Sequence, residues 1–300
     1  MIALALAVVA LQQSPPAVDP LLLKIGSSRT LKVEPGKVVN LRSGREAKVE
    51  DIAAAAANTQ YVYVGEEHGN LLHHQMQAQV IRALAAAGRH VVIGMEQFTR
   101  PNQPNLAGWT LGWYTDDQFI TKSDWKNQWG MDYSLYKPVF DAAKDLQLPI
   151  VALNIPRDWV RAVGKGGLEA LTSDQRSQLP ANIDLTNQDH RAIFTAMIGG
   201  HPMTGAGMEH MYDAQALWDV AMADTAVKYM SGKSPKTVMV VVAGSGHVMY
   251  KQAINWRVKN RTGDPGVTLV MADNDGPREV SRGVGDFFYL TQLPPEDKKP

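Results

Sequence analysis

Five short runs rich in valine and isoleucine punctuate the chain, and each is apolar at successive positions rather than at alternate ones. They are QYVYVGE (60–66), HVVIGME (90–96), LPIVALNI (148–155), TVMVVVAGS (237–245) and GVTLVMA (266–272). A strand that is apolar on both faces is buried on both faces, as in parallel sheets. NLLHHQMQAQVIRALAAAG (70–88) follows the first run and reads as a helix that stops at Gly88. Strand, helix and strand in that order predict right-handed crossovers. The class is therefore α/β, with a mostly parallel central sheet flanked by helices. Three further elements are expected. DFFYLT (286–291) reads as an edge strand, and TLKVEPGKVVNL (30–41) as a hairpin turning at Pro35 and Gly36. Ser43 with Glu46 fits a capping box that opens a helix through the alanine run at 53–57.

Residues 100–147 and 156–232 are too long for simple crossovers, and their apolar positions recur at helical spacing. They predict a helical cap or insertion beside the sheet. Six of the seven tryptophans fall in or beside them. Large aromatics dominate core packing, so most of these should hold the cap to the sheet, with some left to line a pocket. The resulting division is a secretory signal segment at 1–17, a lead-in hairpin at 18–45 and one α/β domain at 46–300.

The chain has 300 residues, 45% of them hydrophobic, with 30 Lys and Arg against 30 Asp and Glu. That length and apolar content allow a large core. The balanced charge supplies no field to recruit nucleic acid or an anionic membrane. There is no cysteine, so disulfides, zinc–thiolate sites and iron–sulfur clusters are excluded on this chain. The apolar run after Met1 is too short to span a bilayer and resembles the core of a secretory signal. No other stretch is long and apolar enough for a membrane span. The expectation is an exported protein, periplasmic or extracellular.

In open parallel sheets, ligands bind beyond the carboxyl ends of the strands. Glu66, Glu67 and His68 follow the first strand, and Glu96 ends the second. Asn154 and Arg157 follow the third, and Ser245 and His247 the fourth. Gly65 stands three residues before His68, and Gly244 three before His247. Two imidazoles with carboxylates suit a divalent metal such as Zn, Mn, Co or Fe, held by His68, His247, Glu66 and Glu96. The same groups suit metal-free acid–base chemistry, or a buried hydrogen-bond network that fixes the strand ends. The amides of Gly244, Ser245 and Gly246, at the start of a following helix, would favour an anion. In GMEHMYDAQALWD, helical spacing puts Met208, Tyr212, Gln215 and Asp219 on one face. Tyr212 or His210 could ligate a haem iron, although spacing alone favours ordinary packing.

VGEEHGNLLHHQMQAQVI, IGMEQF, WKNQWGMDYSLYKPVFDAAKDLQLPIVALNIPR, YDAQALWDVAMA and VVVAGSGHVMY, in this order, resemble the ChaN-like haem-binding uptake family of the Tiki/TraB superfamily. The resemblance covers roughly residues 50–262. It implies an α/β fold with a helical cap, in an exported and often lipid-anchored protein that binds haem in iron uptake. It also implies a homodimer enclosing a pair of haems, with a tyrosine on the iron. Tyr212 is the leading candidate for that ligand, followed by His210 and Tyr250, with Arg157 pairing a propionate. The related Tiki-type and erythromycin-esterase-like proteins imply the alternative, a hydrolase, metal-dependent or built on His and Glu. Its site would use Glu66, His68, Glu96 and His247. A lipid anchor needs a cysteine, so the expectation is an unanchored protein.

Overall fold

The computed structural model describes residues 18–199 and 205–293; the segment read as a secretory signal lies outside the described residues. The chain opens with β1 (Thr30–Val33), β2 (Lys37–Asn40), β3 (Arg45–Glu46) and α1 (Val49–Ala55). β4 (Tyr61–Glu66), α2 (Leu71–Ala86) and β5 (His90–Thr99) follow, then α3 (Gln103–Thr110), α4 (Asp116–Lys122), α5 (Trp125–Gln128) and α6 (Tyr133–Asp145). Next come β6 (Ile150–Asn154), α7 (Arg157–Gly166), α8 (Ser173–Ser177), α9 (Gln188–Met197) and the long α10 (Ala206–Met230). β7 (Thr237–Gly244), α11 (Ile254–Thr262), β8 (Val267–Asn274), β9 (Arg278–Ser281) and β10 (Phe287–Gln292) complete it.

The main sheet has the order β3-β2-β10-β8-β4-β7-β5-β6. From β10 to β6 every neighbouring pair is parallel, and β2 and β3 add an antiparallel margin. Each central strand feeds two cores, because successive side chains point to opposite faces. Val62, Val64, Val238, Val240 and Val242 pack with α1, α2 and the aromatic group Phe98, Trp109, Phe119, Trp125 and Phe140. Tyr61, Tyr63, Met239, Val241 and Ala243 pack on the other face with α10 and α11. Each fully buried valine contributes about 1.5–3 kcal/mol by leaving water. This double burial is why the runs are apolar throughout.

The two long insertions divide between the faces. α3 to α6 extend the first core, while α7 packs on α10 through Trp159, Val160, Val163, Leu217 and Ala221.

Three expectations are corrected. β1 and β2 do turn at Gly36, but they do not pair with each other: β1 pairs with β9 and β2 with β10. Consequently β10 is an interior strand, its outer side taken by β2. Ser43 and Glu46 do not cap a helix; Glu46 lies in β3 and its carboxylate meets Lys37 at 2.9 Å. The helix starts at Val49 instead, where Asp51 accepts a hydrogen bond from the Lys48 amide.

Candidate functional site

The strand order reverses direction at β4 and β7. The chain runs outward from β4 to β5 and β6, returns to β7, then crosses to β8. Such a switch point leaves a crevice at the carboxyl ends of the two strands. Glu66 and Gly244 are register partners there. A cavity of about 1150 Å³ opens over this point, walled by residues of α5, α7, α9 and α10 and their adjoining turns.

Glu66 ends β4, fully buried. Its Oε1 accepts from His68 Nδ1–H at 2.9 Å, the Tyr136 hydroxyl at 2.8 Å and the Gln97 amide at 3.1 Å. Its Oε2 accepts from Gln77 at 2.6 Å and lies 3.3 Å from His74 Nδ1. Burial alone would push this carboxyl up, but the hydrogen bonds and charges of His68 and His74 outweigh it and hold the group far below the ordinary range. His74 faces only acceptors, Gln77 Oε1 at 3.0 Å and the His68 carbonyl at 3.1 Å, so it is an imidazolium. His73 is the contrast. Burial drops it to about 4, and its neutral ring accepts the Glu67 amide through Nδ1 at 2.9 Å.

Glu96 sits within β5, just past its last pairing with β7 and inside the irregularity of its pairing with β6 between Met95 and Thr99. Such a bulge re-aims a side chain. Here it sends one carboxylate oxygen to the Gly244 amide at 2.7 Å and the other to His247 Nε2 at 3.3 Å. Asn154 locks the bulge by donating to the Glu96 carbonyl at 3.1 Å. His247 Nδ1 meets Asp219 Oδ1 at 2.7 Å, and Asp219 Oδ2 lies 2.9 Å from His190 Nε2. His190 Nδ1 in turn stands 3.1 Å from the Tyr212 hydroxyl. A chain of close contacts thus runs Tyr212, His190, Asp219, His247, Glu96, hydrogen-bonded at Tyr212–His190 and Asp219–His247 and ion-paired at the other two links. Both nitrogens of His247 face carboxylates, so it is an imidazolium. Burial would lower its pKa, but Glu96 and Asp219 raise it well above the ordinary value.

The two glycines explain the repeated spacing. A Cβ on Gly244 would lie 2.8 Å from His68 Cε1, and one on Gly65 would lie 2.9 Å from Ser245 Cα. Each glycine lets the other strand's terminal loop close over it.

Of the residues singled out by sequence, Glu66, Glu67, His68, Glu96, Asn154, Arg157, Ser245 and His247 all line the cavity. Ser245 donates its hydroxyl to the Met271 carbonyl at 2.7 Å. The anion-binding helix start is absent: β7 runs into single turns, α11 begins only at Ile254, and Glu96 takes the Gly244 amide. The candidate haem ligands lie elsewhere. Tyr212 is fully buried under the Arg191 guanidinium, its hydroxyl held by His190. Tyr250 is buried and accepts the Leu23 amide at 2.9 Å, while His210 binds the Lys165 carbonyl at 3.2 Å outside the cavity. Among the described residues, no group of three His, Cys, Asp or Glu is arranged to hold a metal ion. The oxygens of Glu66 and Glu96 already face protein donors.

Sequence reasoning missed His190, Tyr136, Gln77 and Gln97 as parts of the site, and it set Asp219 on a helix face with Tyr212 without joining it to the strand-end cluster. Asp219 carried a signal, a carboxylate inside the apolar stretch ALWDVAMA.

A sequence profile described as haem-binding uptake, Tiki superfamily, ChaN matches residues 52–258. A comparison with curated protein sequences finds no match. Among solved structures, the chain is similar to one described as cofacial heme binding to ChaN of Campylobacter jejuni. The identity is 14%, over 84% of this chain and 95% of that one, with a TM-score of 0.66. A mutant of erythromycin esterase EreC in its open conformation is similar at 11% identity, over 80% of this chain and 77% of that one, with a TM-score of 0.49. The type III effector HopBA1 is similar at 14% identity, over 87% and 97% of the two chains, with a TM-score of 0.44. At these identities the likeness is one of fold. No helix among the described residues is long and apolar enough to cross a membrane.

Proposed function

Because the chain belongs to the haem-binding uptake (ChaN) family of the Tiki superfamily, we propose that it binds haem in the cavity at the switch point and serves haem or iron uptake. The observation that carries this reading is the cavity itself. Its volume, about 1150 Å³, exceeds that of most small-ligand pockets. Trp129, Trp218 and Phe194 line it with aromatic rings, and the exposed residues Met131, Met197 and Met211 line the same space. Arg157 and Arg161, one helical turn apart on α7, share that wall and form no ion pair among the described residues. These residues fit the group: apolar walls for the porphyrin, and guanidinium forks for two propionates. Bound haem would supply an iron centre; the protein's part is to bind the macrocycle, orient it and exclude water. A homodimer and an exported location belong to the same proposal, the first resting on the family resemblance and the second on the apolar N-terminal run.

Hemin titration of the purified protein tests the proposal. A saturable Soret change that weakens in an Arg157→Ala, Arg161→Ala double variant is expected; no saturable change refutes it.

A second reading is favoured by one feature, the pairing of His68 with Glu66 beside a buried Glu96–His247–Asp219 array. His68 lines the cavity and its Nε2 has no hydrogen-bond partner among the described residues; burial would lower its pKa, but Glu66 and Glu96 raise it, so the neutral ring can take a proton from water. The protein would then be a His/Glu hydrolase. Ester or peptide hydrolysis abolished in His68→Ala would support it, and its absence across a substrate panel would remove it. A metal-dependent version needs rearrangement, because the carboxylates that would ligate the metal are already engaged.

A further inference from the structure

We infer that this protein has a second binding site, an arginine-lined pocket that takes the phosphate group of a small phosphorylated ligand. The site is independent of the haem reading, because it lies at the other end of the sheet. Its cavity, about 440 Å³, opens where β8 and β10 begin, at Val267 and Phe287, and where the antiparallel β2 ends at Asn40. The switch-point cavity lies at the opposite, carboxyl ends of the parallel strands. The smaller volume is within the usual range for a small ligand. Leu41, Val267 and Phe287, all buried, give it an apolar floor. Arg29, Arg42 and Arg282 stand in its wall, and none of the three forms an ion pair among the described residues. Arg282 Nε is buried with no hydrogen-bond partner among them. One carboxylate shares the wall, Asp286, and it is already matched. Its oxygens meet Lys251 Nζ at 2.7 and 2.6 Å, and one also accepts the Thr268 amide at 2.8 Å. The three guanidiniums are left without a counter-charge.

The backbone gathers these side chains. The Arg282 amide donates to the Arg29 carbonyl at 2.9 Å, so two of the arginines leave from neighbouring backbone. The turn from Asn40 to Gly44 carries the third, Arg42. It is closed by the Gly44 amide on the Asn40 carbonyl at 2.8 Å and by the Ser43 amide on Asn40 Oδ1 at 2.9 Å. Gly44 also leaves space for Arg282, because a Cβ there would collide with Nη2 of that guanidinium. Ser27 Oγ accepts the Arg29 amide at 3.1 Å. Oxygens of Ser27, Asn40 and Asp286 are thus engaged. The Ser27 hydroxyl proton, the Asn40 side-chain amide and the three guanidiniums have no acceptor among the described residues. A wall of open donors and engaged acceptors selects an anion. Guanidinium forks match phosphate oxygens two at a time. A phosphomonoester brings three acceptor oxygens and a charge of about −1.5 to −2, which suits three cations better than the single charge of a carboxylate. The apolar floor receives the organic part. The wall holds no uncommitted carboxylate and no imidazole to act as a base, so the pocket binds its ligand without transforming it.

The experiment is isothermal titration of the full chain with phenyl phosphate, inorganic phosphate and benzoate, in chloride at constant ionic strength. A single saturable site is expected, tightest for phenyl phosphate and weakest for benzoate. Arg29→Gln, Arg42→Gln and Arg282→Gln should each weaken phenyl phosphate by about 10–100-fold, the worth of a hydrogen bond to a charged group. Arg29 and Arg42 are exposed, so their variants fold even if the Arg282 variant does not. Arg45→Gln, exposed and outside the pocket, should leave the binding constant unchanged, and hemin titration should be the same in all four variants. Cosedimentation with phosphatidylcholine vesicles containing phosphatidic acid, whose headgroup is a phosphomonoester, separates two sources of the ligand. Cosedimentation lost in Arg42→Gln assigns the pocket to a lipid headgroup. Binding of phenyl phosphate without cosedimentation assigns it to a free ligand. No saturable binding of either phosphate, benzoate bound as tightly as phenyl phosphate, or arginine variants that bind as wild type does overturns the inference and leaves the haem reading untouched.

Discussion

Asp219 to asparagine is the change that tests the chain of contacts from Tyr212 to Glu96 most directly. The carboxylate is fully buried, 2.7 Å from His247 Nδ1 and 2.9 Å from His190 Nε2. Asparagine keeps the shape. Its oxygen can accept from His247, and its amide can donate to His190 if that ring changes tautomer. The Tyr212 hydroxyl then accepts from His190 and can turn its own proton to the Asn187 carbonyl, 3.4 Å away. Hydrogen-bond count is therefore nearly conserved, and charge is what changes. Burial opposes ionisation of Asp219, and the His247 and His190 rings overcome it and keep the group well below the ordinary range. Without that charge the His247 imidazolium retains only Glu96. Removing one partner of a buried pair costs about 3–5 kcal/mol. With an unfolding entropy of about 2.1 cal/mol/K per residue, that lowers the Tm of a chain this size by about 5–8 °C. Thermal unfolding at neutral pH measures the loss, and NMR titration of the histidine Cε1 protons reports His247 directly, which should move down toward the ordinary histidine range. A Tm within about 2 °C of wild type, or an unmoved His247 titration, would refute the claim that this chain of contacts is held by charge.

Four further outcomes follow from the same geometry. Gly244→Ala should displace the His68 ring at a cost of about 1–3 kcal/mol, and alter the hemin difference spectrum. Gly65→Ala should cost more, because its Cβ meets the Ser245 Cα rather than a movable ring; equal stabilities, measured by urea unfolding, would contradict this. Arg89→Met should lower stability by about 2–3 kcal/mol without touching hemin binding. Its guanidinium donates to the carbonyls of Ala56, Ala57, Thr59, Pro235 and Lys236, all at the opposite end of the sheet from the cavity. The pH profile of Tm should have two limbs. Glu66 and Asp219 are depressed in the fold, so their contribution is present above the unfolded values of 4.5 and 3.8 and fades as pH falls further. His247 is raised, so its contribution is complete below its unfolded value of 6.5 and fades as pH climbs toward the folded value. A Tm independent of pH on both sides of neutrality would exclude the network as a source of stability.

The central strands were legible because their burial is local in cause. The runs of β4 and β7 are apolar on both faces, with Val62, Val64, Val240 and Val242 on one and Tyr61, Tyr63, Met239 and Val241 on the other, and a run of that kind admits few other structures. Partner choice was less legible. Gly36 makes a turn whether or not the flanking strands pair, and the competitor for β2 was β10, about 250 residues along the chain. Nothing in residues 30–41 records that β10 would offer an open edge. The same distinction separates the parts of the site. Residues at a strand end or just past it, such as Glu66 and His247, are announced by the switch from apolar to polar. Asp219 and His190 reach the site from helix interiors, where one polar residue on a buried face has many possible partners.

The repeated Gly-x-x-His spacing shows how far a local pattern carries. As chemistry it suggested two equivalent ligands, and the environments of the two rings are not equivalent. His247 lies between Asp219 and Glu96 with both nitrogens committed, whereas His68 binds Glu66 through Nδ1 and has no hydrogen-bond partner at Nε2 among the described residues. What the spacing does encode is steric. Each glycine sits where two neighbouring parallel strands end side by side, and each accepts the other strand's loop at a distance no Cβ would allow. The imidazole three residues on is then carried back over the strand ends, so the pair arises from two adjacent strands solving one packing problem. Which ring meets a ligand is decided by the carboxylates around it, and those come from β4, β5 and α10, elements that the spacing does not mention.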